Sequence, residues 1–235
     1  MSDAVSLPTK HELKLLTFRA IVAYAVRASL RVERLYQSDN PAHEEAVKAA
    51  NRIAFEFVGT EGAADDDATD DTTDVADAKP DDVESGNAYA TDRAAYAAAD
   101  AAARADVGSA AADAAARAAY AADRAADAAA FARFADAPRA DAATTRAADA
   151  AAAAADAALR AAAAAAANDN NAADDDDTRA EAIAACRRDY EKLLEVSRDL
   201  AGELGQPFDV KSENGPLGPL WSQGEPASFL NASKG

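Results

Sequence analysis

The side chains of this chain that could do chemistry are few and scattered. His11 and His43 are its only histidines. Each stands near a predicted helix start among acids. A proton-transfer or metal site needs partners converging on the imidazole, and no spacing here supplies them. Cys186 is the only cysteine. It falls in an apolar helical seam, where a thiol behaves as a small hydrophobe rather than a nucleophile. One cysteine also excludes an intrachain disulfide and a cysteine-based zinc site. The acid runs at 65–67 and 174–177 could attract calcium, but they lack the spaced ligands and turn glycine of a calcium loop. They read as solvated acid. No phosphate-cradling glycine loop, dinucleotide fingerprint or nucleophile elbow occurs. No catalytic, cofactor-binding or metal-binding residue is therefore expected.

Two groups of residues point to contact instead. Arg27, Arg31 and Arg34 form a basic stripe on the first predicted helix, with Arg19 nearby. Such a stripe is either a solvated, salt-bridged face or a dock for an acidic partner or for the chain's own acidic run. Leu217, Leu220 and Trp221 stand in a tail of glycines and prolines. Tryptophan often dominates interfaces, so this trio either anchors a partner or straps the chain to itself. These six residues are the candidate partner contacts.

The elements that must position them are helices. From Leu7 to about Gln37 the spacing predicts one long helix, opened by a Thr9–Glu12 capping box. Leu13, Leu16, Ala20 and Tyr24 share one face; Leu15, Phe18, Val22 and Val26 share another. Two apolar faces imply neighbours on more than one side. Asn40 and Pro41 restart a helix that Gly59 stops. Together the two predict an N-terminal helical hairpin over 1–59. Residues 60–87 hold eleven acids and one lysine, and are expected to form a disordered acidic linker.

From Ala88 to Ala167 alanine is the dominant residue, broken at intervals by Asp, Arg and a few aromatics; it is the strongest helix former and the least reactive side chain. Steps of three and four from Arg117 collect Tyr120, Arg124, Asp127, Phe131 and Phe134 on one stripe. The two neighbouring stripes are alanine, which permits close helix approach. Asp136-Ala137-Pro138 predicts a break. Gly108 is either a second break or lies within one rod over 88–136, roughly 73 Å long. Thr178 and Glu181 predict another capping box, opening a helix over 178–204. Its seam runs Ile183, Cys186, Tyr190, Leu193, Ser197, Leu200 and Leu204. The expected fold is all-α: an Ala-rich antiparallel bundle over 88–204 packed on the hairpin, closed by an extended tail over 205–235. The main core is expected at the two ends of the sequence, among Phe18, Tyr24, Ile53, Phe57, Tyr190 and Leu193, and not in the alanine block.

Charge narrows the partners. The chain carries a formal −18. Residues 1–58 are nearly balanced, with eight Lys and Arg against seven Asp and Glu, and the remainder holds sixteen against thirty-five. So acidic a surface disfavours nucleic acid and keeps an alanine-rich chain soluble. Charges interrupt the alanine runs at almost every turn, which argues against a membrane span. No leader pattern opens the chain, and the cysteine count suits a reducing compartment, so a cytoplasmic location is expected. No small-molecule substrate is expected.

Three pieces together carry a resemblance: the opening LPTKHELKLLTFRAIVAYAVRASLRVERLY, the Ala/Asp/Arg middle, and the ending DYEKLLEVSRDLAGELGQPFDV followed by GPLGPLW. The chain resembles a group of uncharacterised Ala-rich helical bacterial proteins with a C-terminal GPLGPLW-type motif. Its middle is loosely similar to Ala-rich immunity proteins of bacterial toxin systems. The first group brings no activity to carry over. The combined expectation is a non-enzymatic protein acting by protein–protein contact, as an immunity or accessory factor. The alternative is a structural or stress-type helical spacer.

Overall fold

The computed structural model describes residues 5–36, 41–59, 110–132, 137–168 and 172–207, together with 209–212, 215–221, 224, 226 and 229. Six α-helices and no strand occur among them: α1 (Lys10–Leu13), α2 (Phe18–Val32), α3 (Pro41–Gly59), α4 (Ala110–Ala132), α5 (Ala137–Asn168) and α6 (Ala172–Val196). The all-α expectation holds. The acidic run 60–87, the segment 88–107 and the question of a break at Gly108 lie outside the described residues.

The predicted first helix is in fact two. The Thr9–Glu12 capping box forms in both directions, but α1 stops after a single turn. Thr17 then starts α2, its side chain accepting from the Ala20 backbone N–H. The backbone N–H of Thr17 is itself taken by Ser197 Oγ at 3.2 Å. The chain thus spends residues 14–17 turning, and Leu15 is left exposed. At its other end α2 tightens into a 3₁₀ turn over Glu33–Leu35.

α2 is the central element. Fourteen of its fifteen residues are buried. It packs against α3, α4, α5 and α6. The two apolar faces of the sequence are the reason, and the alanines at 20, 23, 25 and 28 let neighbours come close.

The alanine block belongs to the core, contrary to the expectation that its small side chains would leave the core to the two ends of the sequence. One continuous core runs through α2, α3, α4, α5 and α6, and its members include Ala115, Ala119, Ala122, Ala147, Ala151, Ala154 and Ala162, each almost free of solvent. α4 and α5 form the most extensive helix pair. A methyl group buries little area by itself, but alanine on both sides brings backbones into contact over many turns, where dispersion adds up. Phe18, Tyr24, Tyr190 and Leu193 are buried as predicted, whereas Ile53 and Phe57 are half-buried.

α6 also departs from its predicted limits. It begins at Ala172, so residues 174–177 fall in its opening turns. Thr178 and Glu181 are therefore interior positions rather than a capping box. The helix ends at Val196 instead of Leu204. Ser197 turns inward to Thr17, Asp199 takes a left-handed φ of 64°, and the chain folds back through turns at Leu200 and Glu203. Leu200 leaves the seam and is exposed.

The described residues between 203 and 221 then run alongside α2 in the same direction. The carbonyls of Glu203 and Leu204 accept from the Phe18 and Arg19 N–H groups, and so satisfy two free donors at the start of α2. Val210 and Gly218 reach Arg27, and Leu220 reaches Arg31. The GPLGPLW stretch is not helical. A turn closes from Gly218 N–H to the Gly215 carbonyl at 3.1 Å.

Candidate functional site

Three of the arginines that the sequence places on α2 face inward. Arg19, Arg27 and Arg31 are all buried, and Arg27 is wholly so. Arg27 and Arg31 were candidate partner contacts on an outer face; both lie inside the fold instead, and of the two only Arg31 reaches a cleft. Their spacing of four puts them on one stripe, and the stripe points at α6 and the C-terminal segment.

The groups they meet explain how two cations survive there. Arg27 Nε donates to Asp189 Oδ2 at 2.9 Å, and Arg31 Nη2 donates to the same oxygen at 2.5 Å. Asp189 is 2% exposed. One carboxylate cannot neutralise two guanidinium groups, and backbone carbonyls take up the remaining donors. Arg27 Nη1 donates to Val210 and Gly218 at 2.7 and 3.0 Å, and its Nη2 to Pro219 at 2.9 Å. Arg31 Nε donates to Leu220 at 3.0 Å. Arg19 Nη1 does the same to Gly205 at 2.7 Å. Burial acts most strongly on Arg31 and works against its charge. The Asp189 carboxylate, joined by smaller contributions from Cys186 and Tyr24, holds Arg31 above the ordinary arginine value.

Lys192 on α6 donates to the Leu217 carbonyl at 2.8 Å. Leu217 and Trp221 are buried, and Leu220 is half-buried. Trp221 meets Phe229 edge to face at 5.5 Å and lies 5.8 Å from the Arg31 guanidinium. The indole is thus pinned by a ring on one side and a cation on another.

Four of the six candidate contacts still come together at one place. Arg31, Arg34, Leu220 and Trp221 line an open cleft of about 440 Å³ between the end of α2, the start of α3 and the C-terminal segment. Arg34 is exposed at its rim. Glu33, Glu44 and Lys48 complete the rim with both signs of charge. Arg27 and Leu217 do not reach the cleft.

Comparison with protein-family models, with curated proteins and with solved structures found no match. The chemistry of the chain is therefore judged on its own residues. Cys186 is buried with its thiol pushed up, chiefly by burial. It is placed as a core residue, beside Arg31 Nη1 at 4.0 Å. The Tyr24 hydroxyl is buried near Cys186, and burial pushes its ionisation well above the usual tyrosine value. His11 is exposed. No group of three His, Cys, Asp or Glu side chains could hold a metal among the described residues. The stretch Ala140–Ala167 is long and apolar enough to cross a membrane by length and composition, and 61% of its apolar window is buried inside the fold.

The sequence reading missed Asp189. It lies three residues after Cys186 and four before Leu193, on the inward seam of α6. A charged residue at a seam position, matched by arginines on an otherwise apolar helix, was the available signal. The partners of those arginines were not readable, because most of them are backbone carbonyls.

Proposed function

We propose that this protein is non-enzymatic and works by binding another protein at the cleft between α2, α3 and the C-terminal segment. The observation that carries this reading is the convergence of Arg31, Arg34, Leu220 and Trp221 on one open cleft. Its volume of about 440 Å³ lies in the usual range for binding pockets. The indole and Leu220 offer an apolar floor, and the rim offers charges of both signs. That combination suits a projecting apolar side chain flanked by polar residues, the common form of a protein–protein hot spot. Tryptophan and arginine are the residue types enriched there. The likeness to Ala-rich immunity proteins adds the reading of an immunity or accessory factor acting in the cytoplasm.

A photo-crosslinking residue in place of Arg34 tests this in native lysate. The expected result is one discrete adduct, lost when Leu220→Asp is added and absent when the probe replaces Arg188 on α6. No adduct, or the same adducts from both positions, would overturn the reading. The protein would then be better described as a helical spacer.

A further inference from the structure

α4 and α5 enclose a second, separate groove of about 380 Å³. Arg117 and Arg124 line it from α4, and Arg146 and Arg160 from α5, with Tyr120 and Asp149 between them. All four arginines are exposed. The floor is alanine from both helices, so the groove is shallow in side chains and close to the backbone. Four arginines in one groove run against the charge of a chain at −18.

The acids nearby do not use up this charge. Asp113 holds Arg117 at 3.0 Å and Asp156 holds Arg160 at 2.5 Å, both as exposed pairs one helical turn apart. Such pairs are weak and easily exchanged. Asp149 is turned to Lys10 at 2.9 Å. Among the described residues, Arg124 and Arg146 carry no ion pair.

We propose that this groove binds an acidic, extended peptide segment of a partner protein. Spacing decides the class. Arg146 and Arg160 are fourteen residues apart on α5, about 21 Å along the helix. Arg117 and Arg124 are about 10 Å apart on α4. Along either helix, a single phosphate or small carboxylate is too short to meet both arginines. An extended chain rises about 3.3 Å per residue, so six or seven residues span the groove and can place several carboxylates. Guanidinium groups take carboxylates in two-point fashion. The alanine floor leaves room for a backbone to lie flat. Nucleic acid is disfavoured because its phosphates would also approach the acidic surface around the groove.

The site shares no residue with the α2–α3 cleft, so the two stand or fall apart. The test is fluorescence anisotropy of a fluorescein-labelled octaglutamate peptide with the full chain at 50 and 300 mM NaCl. Saturable binding is expected, weaker at the higher salt. Arg124→Glu with Arg146→Glu should weaken it at least about tenfold. Arg52→Glu with Arg198→Glu, a matched reversal outside the groove, should change it less than about twofold. Circular dichroism verifies folding, and Arg124→Gln with Arg146→Gln replaces the first pair if it fails. No binding, equal loss in both pairs, displacement by millimolar inorganic phosphate, or equally tight binding of a labelled octathymidylate would each overturn the proposal.

Discussion

Asp189 on α6 and Arg27 on α2 are 162 residues apart in the chain and meet at 2.9 Å, with side chains 3% and 0% exposed. Arg31 shares the same carboxylate oxygen. The core therefore holds two cations on one anion, balanced by carbonyl oxygens of the C-terminal segment. Removing a single member of such a cluster leaves uncompensated charge in a water-poor site. Asp189→Ala should lower stability by about 3–5 kcal/mol. A urea melt measures it; a loss under 1 kcal/mol would mean that the carbonyls alone suffice.

Trp221 is the only tryptophan, so its emission reports the C-terminal segment directly. Packed on Phe229 and beside Arg31, it should emit blue-shifted in the folded state and move red on unfolding. Truncation after Gly205 removes the carbonyl partners of Arg27 and the Leu220 carbonyl of Arg31, and should lower the thermal midpoint by many degrees. Red, freely quenched emission from the folded full chain would contradict the placement.

Gly205 combines a φ of +81° with a tight neighbour: an added Cβ would stand 2.5 Å from Thr17 Oγ1. Gly202 has a similar φ of +80° with open space around it. Both alanine replacements incur the left-handed backbone cost of about 1–2 kcal/mol. Gly205→Ala should cost clearly more, because Thr17 caps α2 and cannot withdraw freely. Equal midpoints in denaturant for the two variants would refute the close approach.

Burial within the alanine block sets a further comparison. Ala147 is fully buried and Ala153 is exposed, six residues along the same helix. Ala147→Leu should overpack the core and cost about 1–3 kcal/mol, while Ala153→Leu should stay within about 0.5 kcal/mol of the parent. Leu193→Ala, at a position with no exposure, should cost about 2–5 kcal/mol. Similar melts for the two leucine variants would mean that α5 does not present the face described.

Glu12 supplies a pH-dependent contribution. Its carboxyl is held below the usual 4.5, first by the Thr9 backbone N–H and then by the Thr9 hydroxyl and Arg187. A lowered folded value means that the stabilisation is complete above pH 4.5 and fades as pH falls through the folded value. The stability gap between the parent and Glu12→Gln should be constant from pH 6 to 8 and close on acidification below 4.5. A gap that widens in acid would reverse the sign and exclude this origin.

Helix type, the Thr9 cap and the restart at Pro41 were legible in the sequence, because each depends on local backbone chemistry. Alanine favours helix wherever it stands, and a hydroxyl three residues before a carboxylate closes the same cap in most surroundings. The two apolar faces of α2 correctly implied neighbours on several sides. The sequence could not tell an exposed arginine stripe from a buried one. Arg27 and Arg31 are inside only because Asp189 and the carbonyls of a segment over 180 residues later converge on them. Nor could it locate the core. An alanine is buried or exposed according to which helix lies across from it, and α4 and α5 bury theirs by facing each other and α2. The same holds for the ends of α1 and α6. Thr17, which opens α2 after α1 has ended, and Ser197, just past the end of α6, meet each other, a contact that no local pattern encodes.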